Sequence, residues 1–343
     1  MAEADQEVLR GILRRARLAR KVGELESHQP GSIPPAADRE SWPDLEHEAS
    51  NDDLPIDAIR ELLRTIHAAT SSLERPSRVA YVGPEGGFGQ LAARSRFGQA
   101  APLLTVESAE MALDQVRRHR ADFAVFPFET STEGPLQASV EALAQSELSL
   151  AAKIEVVQNL SLMSRGARAE DIASVYVFAS DRAAAQKYLA SLPRIAVVET
   201  RSPTAACQLA SDDATGAALV PEETGRQLGF LALQSNVSDR TDGRVRYGVA
   251  SPRPTSRTGN DMTSILFGVH DQPGALFNVL RHFAERGINL KTIQSRPMPG
   301  EGWNYVFYVE LTGHATDRSL VTALEEVKRQ TKLLKVLGSY PSC

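Results

Sequence analysis

The chain has little cysteine. Only Cys207 and Cys343 occur in 343 residues, far apart, so neither a disulfide framework nor a cysteine-built metal site is implied. It has no surplus of basic charge: a net charge of −5 and a pI near 5.9 argue against a nucleic-acid protein. Its seven histidines are scattered without ligand spacing, so no metal site and no cofactor are expected. No stretch approaches the roughly 20 apolar residues of a membrane span, and the first residues lack the apolar core of a secretion signal. The expectation is a cytoplasmic protein with neither a membrane nor a nucleic acid as partner. What is present is ordinary for a globular chain, with 42% hydrophobic and 24% charged residues over a length that suits two or three domains.

Residues 5–26 carry an apolar stripe at Val8, Ile12, Ala16, Ala19 and Val22, close to the helical period. The basic run Arg10, Arg14, Arg15, Arg17, Arg20 and Lys21 reads as a solvated face. Pro30, Pro34 and Pro35 end this helix, a second is expected near 39–49, and Asp52-Asp53-Leu54-Pro55 announces a third bearing Ile59, Leu62, Leu63, Ile66 and Leu73. From Arg78 short β-like runs alternate with helical ones. Val79–Val82, Phe123–Phe126, Ile195–Val198 and Ala217–Val220 each lead into a loop that opens a helix, the arrangement in which α/β folds bind small anions. A Pro/Ser/Arg/Thr-rich linker at 251–260 marks a boundary. Beyond it the pattern reads β-α-β-β-α-β, with strands at 262–270, 289–296, 303–312 and 332–340 and helices near 274–286 and 316–330, a ferredoxin-like module.

The chemistry-bearing residues lie in the middle segment. In Asp-Arg-Thr-Asp-Gly-Arg-Val-Arg-Tyr-Gly at 239–248, Arg246 sits among apolar residues on a strand that follows an acidic, glycine-containing turn. It suits either a carboxylate ligand or a structural ion pair with Asp239 or Asp242. Glu129 reads equally as a site residue or a solvated carboxylate, and Ser131 and Thr132 as site hydroxyls or ordinary caps. Gly86-Gly87-Phe88-Gly89 lacks the lysine ending and the glycine spacing of a nucleotide loop.

Taken in order, Gly83-Pro84-Glu85-Gly86 with Phe88, Pro127-Phe128-Glu129-Thr130-Ser131 with Gly134, Thr204-Ala205-Ala206, Asn236-Val237-Ser238-Asp239 and Arg246-Tyr247 resemble the prephenate dehydratases. Gly274-Ala275-Leu276-Phe277 and Gln294-Ser295-Arg296-Pro297 resemble the motifs of the ACT domain that follows in bifunctional P-proteins. The resemblance implies a multidomain chain of α/β and α+β class: an N-terminal helical chorismate-mutase-like module (1–75), a two-lobed α/β domain like periplasmic binding proteins (78–250), and a ferredoxin-like ACT domain (261–343). The reaction it implies expels a ring hydroxyl and a carboxylate together from prephenate to give phenylpyruvate. That needs a proton donor and partners for two carboxylates. By the resemblance, Arg246 is the anchor and Gly83, Pro84, Gly86, Thr204 and Tyr247 shape the substrate pocket, with Glu129 beside it.

The departures are specific. Val245 stands where the family has its catalytic threonine, Gly87 and Gly89 where it has threonine and serine, Thr130 where it has asparagine, and Ala179-Ser180-Asp181 where it has Ser-His-Pro. Thr130, Ser131 or Thr132 is then the expected replacement donor. In the first module Arg15, Arg39, Glu40, Thr70 and Glu74 match or neighbour mutase positions, but no residue supplies the family's first-helix arginine and Glu26 replaces a lysine. Mutase activity is therefore expected to be lost and dimerisation kept. Gly274, Ala275, Leu276, Gln294, Ser295, Arg296 and Pro297 are the expected L-phenylalanine site, in a homodimer or tetramer. The alternatives are a catalytically inactive phenylalanine-sensing paralogue and a non-aromatising prephenate decarboxylase.

Overall fold

A computed structural model describes residues 2–26, 55, 58–59, 62–63, 66, 70, 77–192, 194–240, 242–270, 272–297 and 305–342. The first element is the 25-residue helix Ala2–Glu26. Ala19 is buried on it, while Arg10, Arg14, Arg17, Arg20 and Lys21 face solvent, as the charge pattern implied. Residues 58–59, 62–63, 66 and 70 are helical, in keeping with the third expected helix. The second expected helix, at 39–49, lies outside the described residues, as do Arg39, Glu40 and Glu74.

From Val79 the chain alternates. It forms β1 (Val79–Val82), β2 (Leu103–Val106), β3 (Phe123–Thr130), β4 (Gly134–Pro135) and β5 (Ser149–Val157), then enters a second lobe with β6 (Leu160–Ser164), β7 (Ser174–Phe178), β8 (Ala196–Thr200), β9 (Gly216–Pro221) and β10 (Leu231–Gln234). It returns as β11 (Arg244–Ser251) and finishes with β12 (Asp261–Gly268), β13 (Leu290–Pro297), β14 (Tyr305–Thr312) and β15 (Leu333–Pro341). The first-lobe sheet runs β2-β1-β3-β11-β5 with β4 on β3, and the second runs β10-β6-β9-β7-β8. The inner parallel strands β1, β3 and β9 are largely buried, in keeping with their near-continuous apolar runs, whereas the edge strands β2 and β8 leave several residues exposed. Two crossings, after β5 and after β10, join the lobes. Phe88, at the start of helix Phe88–Phe97, packs against both the core of that helix and the core of the second lobe.

The third sheet, β13-β14-β12-β15, with helices Ala275–Ala284 and Arg318–Gln330, is the expected ferredoxin-like unit. Its other face is shared with the first lobe, where Met262, Leu266, Tyr308, Leu337 and Tyr340 join Phe126, Phe128, Val140 and Leu150 in one core. The two backbones approach closely at Gly338, whose φ is +152° and where an added Cβ would lie 2.1 Å from the Leu150 carbonyl oxygen. Among the described residues no helix is long and apolar enough to cross a membrane.

Candidate active site between the two lobes

The glycine–proline loop after β1 is held by both lobes. Gly83 N–H donates to Val106 O at 3.1 Å, and Gly86 N–H to Gln90 Oε1 at 2.8 Å. Across the cleft, Thr224 Oγ1 donates to Gly86 O at 2.7 Å and Thr204 N–H donates to Glu85 O at 3.3 Å. Thr204 lies in the first turn of helix Pro203–Asp212, which Ser202 caps by accepting from Ala205 N–H. Gly86 has φ +78°, and a Cβ there would lie 2.6 Å from Thr204 Oγ1. Only glycine fits this turn with the lobes together.

Beside the loop, β11 pairs with β3 and β5 on either side. Alternate residues of a strand face opposite sides. Val245 (4% exposed) and Tyr247 pack with Tyr81, Ala92 and Phe123 on the side of helix Phe88–Phe97. Arg246 takes the other side. Its Nε donates to Glu155 Oε2 at 3.1 Å and its NH1 to Glu129 Oε1 at 3.4 Å, with the guanidinium side chain 41% exposed. Burial alone would lower its pKa, but Glu129 and Glu155 outweigh that and raise it. The pleat sends the guanidinium to the face opposite Val245 and Tyr247. The structure differs from the ion-pair reading of Arg246 in the partners. Its ion-pair partners are Glu129 and Glu155 rather than Asp239 or Asp242, and Asp239 instead accepts from Lys187 N–H.

Thr130, Ser131 and Thr132 form the turn after β3. Thr130 Oγ1 accepts from Glu133 N–H at 3.0 Å and lies 3.3 Å from Thr132 Oγ1, while Ser131 Oγ accepts from Arg244 N–H at 3.2 Å. Thr130 pairs directly with Val245.

Glu129 leads to a cluster not anticipated from the sequence. Lys153, on β5, has a side chain only 3% exposed, with Nζ 3.0 Å from Glu129 Oε2 and 3.1 Å from Glu310 Oε1 of β14. Three rings surround it, their centroids 5.2 Å (Phe128), 5.3 Å (Tyr340) and 5.9 Å (Tyr308) from Nζ. Burial works to lower the lysine pKa, but Tyr308, Glu310 and Glu129 outweigh it and hold Lys153 above its ordinary value. Burial likewise works to raise Glu310, and Lys153 and the Tyr340 hydroxyl outweigh it, so Glu310 lies below its ordinary value. Both partners are charged. Thr292 Oγ1 donates to Glu310 Oε2 at 3.3 Å, so Arg246, Glu129, Lys153, Glu310 and Thr292 form a continuous chain from β11 to β13. The sequence carried a usable sign here, since a single Lys in Leu150-Ala151-Ala152-Lys153-Ile154 and a single Glu in Tyr308-Val309-Glu310-Leu311 interrupt apolar strands.

In the third domain Gly274 (φ +80°) is the N-cap of helix Ala275–Ala284, whose first turn holds Ala275 and Leu276. Gln294, Ser295, Arg296 and Pro297 lie on the edge strand β13. Gln294 Nε2 packs against Gly134, where an added Cβ would be 1.9 Å away. In the N-terminal module Arg15 Nε donates to Thr70 Oγ1 at 3.2 Å, which brings two of the expected mutase positions together.

A two-lobed α/β unit whose glycine–proline loop closes on the facing lobe, followed by a ferredoxin-like module, defines a small-molecule enzyme fold with an appended regulatory domain. Residues 79–255 match the prephenate dehydratase family model and residues 263–329 that of the ACT domain. A bifunctional chorismate mutase/prephenate dehydratase of Aquifex aeolicus is 35% identical over 98% of this chain and 94% of its own length. A protein of the same description from Stutzerimonas stutzeri is 29% identical with the same coverage. The structure of an Arthrobacter aurescens prephenate dehydratase in complex with L-Phe superposes with a TM-score of 0.64 at 30% identity, covering 77% of this chain and 90% of that one. The chain belongs to the prephenate dehydratase family and carries a C-terminal ACT domain.

Proposed function

We propose that the chain is a prephenate dehydratase lyase, converting prephenate to phenylpyruvate, CO2 and water, with feedback by L-phenylalanine through its ACT domain. The observation that carries this reading is the closed cleft, in which the Gly83–Gly87 loop is hydrogen-bonded to Thr204 and Thr224 beside the strand end bearing Val245 and Tyr247. Gly83, Pro84, Gly86, Thr204 and Tyr247 wall the pocket. Arg246 and Glu129 fix the strand end through their ion pair and link it to Lys153. Thr130, Ser131 and Thr132 line the rim.

The functional units are taken as 1–75, 78–250 and 261–343. The first contributes dimer contacts rather than mutase chemistry, since Val8, Leu9, Leu13 and Leu18 leave much of their apolar surface exposed on its helix. The assembly is a homodimer or tetramer, working in the cytoplasm. L-Phenylalanine binds at Gly274–Leu276 and Gln294–Pro297, and heat with a raised thermal midpoint on its addition is the expected result. No heat and no shift would remove the effector.

Incubation of the pure chain with prephenate, followed by ultraviolet absorbance and mass, tests the reaction. Phenylpyruvate is expected. A non-aromatic keto acid would mark a decarboxylase, a reading that the apolar setting of Val245 favours, because carbon dioxide can leave without the hydroxyl being protonated. Unchanged prephenate would leave a phenylalanine sensor.

A further inference from the structure

We propose that Asp181 is the proton donor for the departing hydroxyl in this chain, taking the role that the family gives to the threonine replaced here by Val245. The inference rests on the prephenate reading above.

Asp181 lies in the first turn of the helix Ala179–Ala184, which follows β7 in the second lobe. It is 9% exposed, and its Oδ2 is buried with no hydrogen-bond partner among the described residues. An aspartate in the first turn of a helix ordinarily caps backbone N–H groups, yet no side chain caps this helix. A buried aspartate retained for structure is ordinarily paired with a cation or bonded. The groups around it offer neither. Tyr247 of β11, in the first lobe, is near enough to sense its charge, and that hydroxyl is raised by burial first and by Asp181 second. Arg182, next on its own helix, turns away to Glu199 of β8. Asp239, from the second crossing, accepts from Lys187 N–H.

With no cation beside it among the described residues, ionisation of Asp181 carries the cost of desolvation, which favours the protonated form. Burial pushes the carboxyl up to about 7. A carboxylic acid held near the working pH is what general-acid catalysis requires. In the step, the bond between the ring and its carboxylate breaks and leaves its electron pair in the ring as carbon dioxide departs. The C–O bond to the hydroxyl breaks with its electrons going to oxygen, which takes the Asp181 proton and leaves as water. Asp181 is left ionised and regains a proton from solvent before the next turnover.

Two measurements on the full chain test this. Asp181→Asn keeps size and removes the proton, and it is expected to lower kcat for phenylpyruvate formation by about 10² or more, with KM little changed. In the unmodified chain, kcat/KM is expected to fall above pH 7, and Asn at 181 removes that limb from the residual activity. A variant at 181 that turns over as fast as the parent, or a parent profile flat from pH 5 to 9, overturns the assignment and leaves the dehydratase reading standing. A parent that leaves prephenate unchanged overturns both. The parent's pH profile needs no variant to fold, so a failed preparation of Asp181→Asn does not shield the proposal.

Discussion

Two buried ionisable sites, one where the first lobe meets the ACT domain and one in the second lobe, are built to opposite plans. On the ACT side, Lys153 is enclosed by Glu129, Glu310 and three aromatic rings, and almost every polar atom in the cluster has a partner. In the second lobe, Asp181 has none for its Oδ2 among the described residues. Low dielectric strengthens the first arrangement and penalises the second. The contrast separates a charge held for structure from one kept for chemistry. Lys153 and its carboxylates join the ACT sheet to β3 and β5, whereas Asp181 holds a titratable proton in the second lobe.

The largest effect expected from breaking the comparison is at Lys153. Lys153→Met takes the cation from buried Glu310 and leaves half-buried Glu129 with Arg246 alone, and unpairing a buried ion costs about 3–5 kcal/mol. Denaturant unfolding should show that loss, and the triple variant Lys153→Met, Glu129→Gln, Glu310→Gln should recover much of it, since replacing a whole buried ionic set is often nearly neutral. If Lys153→Met were as stable as the parent, the interface would not depend on the cluster.

Asp181 should respond the other way. Its folded pKa is raised, so its contribution is present below the unfolded value and is lost as pH rises towards about 7. Asp181→Asn is therefore expected to be more stable than the parent at pH 8, by on the order of a few kcal/mol, with the difference shrinking towards pH 4. Equal stability at both pH values would mean that the carboxylate is not held uncharged.

Gly86→Ala sharpens the account of closure. It combines a positive φ with a Cβ 2.6 Å from Thr204 Oγ1, so the lobes must part. A fall in kcat/KM is expected with a smaller loss of stability, of about 1–3 kcal/mol. Thr224→Val should be the mildest change, removing one interlobe bond to Gly86 O at about 1 kcal/mol. A KM rise larger for Gly86→Ala than for Thr224→Val is the checkable order.

Local features were the ones the sequence showed. The strand at 303–312 and the helix at 316–330 fall within two residues of Tyr305–Thr312 and Arg318–Gln330, because apolar periodicity and the flanking Gly313 act within a few residues. The loop Gly83–Gly87 was visible for the same reason. The ion pairs were not. Lys153 and Glu310 are 157 positions apart, and their meeting depends on how the third sheet docks on the first. For Arg246 the residue type was informative and its direction was not, because the side taken by a strand residue is fixed by register with β3 and β5. Asp181 was hidden for a plainer reason. In sequence, an aspartate in the first turn of a helix looks like any capping residue, and only its burial without a hydrogen-bond partner among the described residues sets it apart.

The most direct measurement is the rate at which the intact chain releases phenylpyruvate from dilute prephenate at pH 6 and at pH 8.5. An acid titrating near 7 predicts catalysed release at both, slower at the higher pH by roughly thirtyfold. Equal rates would contradict the donor, and an absence of phenylpyruvate at either pH would contradict the dehydratase.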